Sequence, residues 1–81
     1  MRRDVFQGIA DPTRREILGR LATEQLNLTT VADSFDISRQ SVTKHIKILI
    51  ECGLVAVEKQ GREKYLRAQP ERLSEVMKWM E

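Results

Sequence analysis

Residues 36–54 read Asp-Ile-Ser-Arg-Gln-Ser-Val-Thr-Lys-His-Ile-Lys-Ile-Leu-Ile-Glu-Cys-Gly-Leu, and this stretch decides the fold. Ser38 is a natural N-cap, because its hydroxyl can take an amide proton that the first helical turn leaves unpaired. Gly53 stands where a left-handed residue closes the last turn. Between them Val42, Ile46 and Leu49 recur at i, i+4 and i+7, which makes one buried stripe. At 100° per residue Gln40, Thr43, Lys44 and Lys47 fall on the opposite side. From Arg39 to Ile50 the segment carries three cations and no acid. Such a helix is built to lie against something negative, and the DNA major groove is the expected partner.

The whole chain has 81 residues and a formal net charge of +2. That length allows one small domain over 1–81 and a thin core, since a chain this short buries only roughly 60–65% of its unfolded surface. Dimerisation is a common remedy. The charge is uneven: Arg39, Lys44 and Lys47 crowd the middle, while Glu71, Glu75 and Glu81 outnumber Arg72 and Lys78 at the end. Concentrated basicity suits a polyanion. A single cysteine rules out an intramolecular disulfide and fits a reducing cytoplasm. No apolar run approaches the ~18–20 residues of a membrane span, and the N-terminus lacks the apolar core of a signal peptide.

Upstream, residues 2–10 read as a short helix with Val5, Phe6 and Ile9 on one side. Asp11-Pro12 opens a second helix, as N-cap and first-turn proline. It runs to about Thr23, with Ile17, Leu18 and Leu21 inward and Arg14, Arg15 and Arg20 outward, on a solvated face sooner than in direct contact with DNA. A third helix spans Asn27 to Ser34, with Thr29 or Thr30 as its cap. Phe35-Asp36-Ile37 links it to the organising helix. Two short helices joined this way form a helix-turn-helix, in which Ala32 permits a close crossing and Ile37 plugs the angle.

Past Gly53 the period changes. Residues 54–59 and 63–68 are β-branched or aromatic enough for strands, and Gly61 supplies the turn. Lys59, Arg62 and Lys64 gather at the tip. A cationic hairpin after a recognition helix reads as a wing that touches phosphates or a minor groove; the plainer reading is a charged edge that discourages aggregation. Pro70 opens a last helix in which Leu73, Val76, Met77 and Met80 make a stripe, with Trp79 on another face. The expected architecture is mainly α with a small β-hairpin, in the order α-α-α-α-β-β-α. The two apolar ends, 2–10 and 70–81, are the expected dimerisation helices, through Val5, Phe6, Ile9, Leu73, Val76, Met77 and Met80. The alternative is that they complete the core of one chain.

Ala-Asp-Pro-Thr-Arg-Arg-Glu-Ile-Leu (10–18), Ile-Ser-Arg-Gln-Ser-Val-Thr-Lys-His-Ile-Lys-Ile-Leu (37–49), Gly-Leu-Val (53–55) and Gly-Arg-Glu-Lys-Tyr (61–65) resemble the ArsR-type winged-helix repressors over nearly the whole chain. The resemblance implies a dimeric bacterial repressor whose first and last helices pair across the dimer, released from operator DNA by an inducer. The arsenic and cadmium sensors of that family carry Cys-x-Cys before the turn, where this chain has Thr29 and Val31. Zinc and nickel sensors use Asp and His pairs on the last helix, and 70–81 contains no histidine. His45 and Cys52 alone do not make a metal site. Cys52 reads as a small buried hydrophobe and His45 as a packing or phosphate-contacting residue. No metal and no cofactor are expected, and the closer similarity is to the family's non-metal members, including autorepressors.

Ser38, Arg39, Gln40, Ser41, Thr43, Lys44 and Lys47, with Lys59, Arg62 and Lys64 of the wing, are the candidate DNA-binding residues. Gln40, Thr43 and Lys44 are placed to read bases. A winged-helix module docking an acidic protein is the competing reading. Catalysis is not expected, since a single histidine without a paired carboxylate set or phosphate loop organises no reaction.

Overall fold

The computed structural model describes residues 4–80, excluding the side chains of Pro70 and Met80. Residues 2 and 3 of the expected first helix, and Met80 of the expected last stripe, therefore lie outside what is described. The chain runs α1 (Val5–Gly8), α2 (Pro12–Leu21), β1 (Leu26–Asn27), α3 (Leu28–Asp33), α4 (Arg39–Glu51), β2 (Val55–Gln60), β3 (Glu63–Ala68) and α5 (Pro70–Met80).

Local capping explains where the helices begin. The Asp4 carboxylate accepts from the Phe6 amide at 2.7 Å and that of Asp11 from Arg14 at 3.0 Å. Ser38 Oγ accepts from the Ser41 amide at 3.1 Å, so α4 starts as its sequence requires. The α3 cap is neither Thr29 nor Thr30 but Asn27, whose side-chain oxygen takes the Thr29 amide at 2.7 Å. The reason is that Leu26 and Asn27 are held extended as β1, so the helix begins at once after them. At the far end of α4, Gly53 adopts φ +77°. Its amide bonds to Ile50 O and that of Leu54 to Leu49 O, both at 3.0 Å, which is the paired closure of a Schellman turn.

The core joins Ile17, Leu18 and Leu21 of α2, Val31 and Ala32 of α3, and Val42, Ile46 and Leu49 of α4 with Leu54, Val55 and Leu66 around the sheet. Cys52 is buried among them, and its Sγ donates to Asp4 O at 3.3 Å. Ile37 does not plug the helix-turn-helix angle: it is 44% exposed. Phe35 takes that place, packed on the core with the Arg20 guanidinium 4.7 Å above its ring. The larger apolar body fills the corner, and the cation covers its open side.

The hairpin expected at 54–68 is part of a three-stranded antiparallel sheet in the order β1-β3-β2. Leu26 pairs with Leu66 and Asn27 with Tyr65. The wing pairing runs from Val55↔Ala68 to Gln60↔Glu63, closed by Gly61, at φ +64°, and Arg62.

At the opposite end α1 packs on α5. Val5 and Val76 are buried in the chain's own core, with Ile9 and Leu73 packed against it. Val5 and Val76 are thus corrected as candidate dimer-contact residues, because neither offers surface to a second subunit. Gly8 lets α1 close on the chain just past α4: a Cβ there would stand 2.6 Å from Leu54 Cδ1 and 3.1 Å from Cys52 Sγ. The stripe expected on α5 does not turn inward as a whole. Met77 and Trp79 are 68% and 76% exposed, and Phe6 meets Trp79 edge-to-face at 5.4 Å. A single turn of α1 is too narrow to cover more than Leu73 and Val76.

Candidate nucleic-acid interface

With Val42, Ile46 and Leu49 pinned underneath, α4 presents Ser38, Arg39, Gln40, Ser41, Thr43, Lys44 and Lys47 as exposed residues. They are not equivalent. Ser38 is engaged in the cap and also donates to Ser41 Oγ at 2.9 Å. Arg39 reaches back to α3, its Nη2 2.6 Å from Asp33 Oδ1 and its Nε 3.2 Å from the same oxygen. Both partners are largely exposed, so this pair holds a direction more than it adds stability. Gln40, Thr43, Lys44 and Lys47 make no side-chain hydrogen bond or ion pair among the described residues. Those four turn their polar groups to solvent along the exposed face of the helix.

The α2 arginines keep a solvated side, with Arg15 exposed and Arg14 and Arg20 half-buried, but each also holds a partner. Arg14 donates through Nε to Gly8 O at 3.0 Å, through Nη2 to Gln7 O at 2.9 Å, and its Nη1 lies 3.2 Å from His45 Nδ1. Arg15 donates to Ile9 O at 2.7 Å, and Arg20 to Ser34 Oγ at 2.7 Å. Arg14 and Arg15 close the open carbonyls at the end of α1 and tie it to α2 and α4, whereas Arg20 ties α2 to the end of α3. His45, half-buried, accepts from Arg14 at Nδ1 when neutral, with Asp11 Oδ2 3.8 Å away. Burial pushes the Asp11 carboxyl up, but the Arg14 and Thr13 amides and the charges of His45 and Arg14 outweigh it and hold it below 3.8. His45 is thus a packing residue that fixes the middle of α4.

Strand alternation sorts the wing into two faces. Val55, Val57 and Lys59 share a face with Lys64, Leu66 and Ala68, and that face looks toward α4. Glu58, Glu63, Tyr65 and Arg67 occupy the other face, where the Tyr65 hydroxyl donates to Glu63 at 2.8 Å. That bond and the Glu63 charge push the Tyr65 hydroxyl's pKa up. Lys59 lies directly opposite Lys64 in the register. Two like charges at such a pair are destabilising, so the arrangement favours an anion beside them. An edge guarded only against aggregation needs no such pairing on its inward face.

Arg62 and Lys64 also border a cleft of about 710 Å³ whose other wall is the start of α3, with Thr29 and Thr30. The sequence reading assigned these threonines to capping and so missed them as surface groups. The available signal was Asn27, a better cap than threonine, immediately before the helix. Among the described residues no group of three or more His, Cys, Asp or Glu side chains is placed to hold a metal ion. No helix among them is long and apolar enough to cross a membrane.

A helix-turn-helix over α3 and α4, followed at once by a cationic hairpin, defines a winged helix-turn-helix protein. A helix-turn-helix domain family matches residues 9–58. The transcriptional repressor SdpR of Bacillus subtilis is 31% identical over 77 residues, covering 95% of this chain and 86% of its own. An ArsR-like transcriptional regulator from Rhodococcus sp. RHA1 superposes with a TM-score of 0.85 at 36% identity, over 94% of this chain and 70% of its own. A possible transcriptional regulator for arsenical resistance gives a TM-score of 0.86 at 31% identity, over 96% and 81%. The chain belongs to the ArsR family of winged helix-turn-helix transcription regulators. Its relatives are regulators of transcription, a role without catalysis.

Proposed function

We propose that the chain is a single DNA-binding domain that acts as a homodimer in the cytoplasm and represses by occupying an inverted-repeat operator. The observation that carries this reading is the open outer side of residues 39–50 of α4, which hold no acid, continued by Lys59 and Lys64 on the inner face of the wing. Two copies of α4 enter successive major grooves about 34 Å apart. Gln40, Thr43 and Lys44 meet base edges, Gln suiting adenine and Lys guanine. Lys47, Lys59, Arg62 and Lys64 grip phosphates, with Arg39, Ser38 and Ser41 at the helix start, and a backbone strand passes Thr29 and Thr30. The dimer is supported by the apolar surface of Phe6, Met77 and Trp79, whose large side chains stay open beside α1 and α5.

Mobility shifts and footprinting on the DNA flanking its own coding region test the reading. The expected result is a salt-sensitive complex protecting two half-sites one helical turn apart. Protection of one half-site only, or binding indifferent to sequence, overturns it.

A further inference from the structure

Between α4 and the inner face of the wing lies a groove of about 240 Å³. Its apolar surface comes from Leu28, Ile50 and Val57 over the buried Ile46 and Leu66, and Lys47 and Lys64 also line it. Among the described residues no carboxylate lines it. Ile50 and Val57 are 38% and 43% exposed, so much of this apolar surface is open to solvent. A phosphate passing between helix and wing is met by donors such as Lys47, Lys64 and Thr43; it has no use for an uncovered hydrocarbon floor. Single exposed apolar residues are ordinary, but these two line one concavity with two cations above them.

From this we infer that the groove binds a small apolar carboxylate, and that the bound ligand and operator DNA exclude each other. The hydrocarbon body covers Ile50 and Val57, and the carboxylate lies between Lys47 and Lys64 in a partly desolvated setting where a charged hydrogen bond is strongest. A neutral molecule of the same shape leaves the two ammonium groups uncompensated. The volume falls below the ~300–1,000 Å³ typical of pockets for drug-sized ligands, which limits the body to a short chain or one small ring. The exclusion of DNA rests on the proposed function, because Lys47, Lys64 and Thr43 serve both partners. The binding site itself does not.

Titration of the isotopically labelled, DNA-free protein with sodium octanoate, followed by amide chemical shifts, tests the site. Saturable shifts are expected around Ile50, Val57, Lys47 and Lys64. 1-Octanol should bind on the order of tenfold more weakly for want of the charge-assisted contact, and acetate should leave the groove unperturbed. Ile50→Ser and Val57→Ser, both at exposed positions, should each weaken octanoate several-fold and leave duplex binding unchanged. In a second arm octanoate should release a bound duplex, with more octanoate needed as duplex concentration rises. Shifts centred on Phe6 and Trp79, octanol binding as tightly as octanoate, or failure to saturate would each overturn the site. A ternary complex would overturn the exclusion. If no duplex binds at all, the first arm still decides the site, so the two failures are distinguishable.

Discussion

The two ends of this molecule expose surface in opposite ways. Along α4, Val42, Ile46 and Leu49 are pinned beneath and the polar residues between them face out, with Ile50 and, on the wing, Val57 the apolar exceptions; around α1 and α5, Phe6, Met77 and Trp79 face out with little beneath them left to bury. The first arrangement is complete in one chain and waits for a charged partner. The second is incomplete in one chain, because two short helices cannot cover their own hydrocarbon. What separates them is the number of buried anchors among the described residues: three on α4, but only Val76, with Leu73 half-buried, on α5.

The sharpest way to break the contrast is to make the apolar end polar. Trp79→Lys combined with Met77→Glu should give a folded monomer by sedimentation, since both side chains are largely exposed. Operator affinity should drop by roughly 10²–10⁴-fold as the two half-sites lose their linkage. A dimer that survives this change would remove the distinction.

Changes on the reading face should be smaller and specific to sequence. Gln40→Ala should cost about 1–3 kcal/mol of base discrimination at one operator position, seen in competition against substituted duplexes, with thermal stability unchanged. A comparable cost in stability, without binding loss, is expected at the seam between the ends. Gly8→Ala forces a methyl onto Leu54 and Cys52 and should lower unfolding free energy by about 1–3 kcal/mol in urea.

Lys64→Gln should divide two effects that the facing lysines combine. The slope of log affinity against log salt should fall by about 0.9, while the free protein gains a few tenths of a kcal/mol from the relieved pair. Asp11 gives the smallest expected effect. Its carboxyl is held below 3.8, so its contribution to stability is present above that value and is lost as pH falls below it toward the depressed native value. Asp11→Asn should flatten that acid limb in thermal melts, only slightly, because the group is partly exposed.

Much of α4 was legible because one period governs both its burial and its exposure. Val42, Ile46 and Leu49 go in, the polar residues between them go out, and Ser38 and Gly53 close its ends within a few residues. The parts that were not legible depend on contacts far apart in sequence. Two residues cannot display a strand period, so β1 is invisible until Leu66 and Tyr65 arrive to pair with it, and the true cap of α3 is hidden with it. Arg14 looks like any outward helical arginine; its role depends on Gly8, Gln7 and His45 converging from two other elements. Phe35 and Ile37 are neighbours of similar hydrophobicity, and only the position of Arg20 decides which is covered. On α5 the period was read correctly as helical, but periodicity does not say how wide the facing element is.

The short strand before α3 has a mechanical consequence. Because β1 is bonded to β3 and passes directly into α3, the base of the wing and the first helix of the DNA-binding pair are hinged to one frame. Any adjustment of the hairpin to a bent or narrowed duplex is therefore expected at its tip, from Lys59 to Lys64, beyond the residues that β1 and Gln25 hold. The protein meets its target with a stiff wrist and a few bending fingertips.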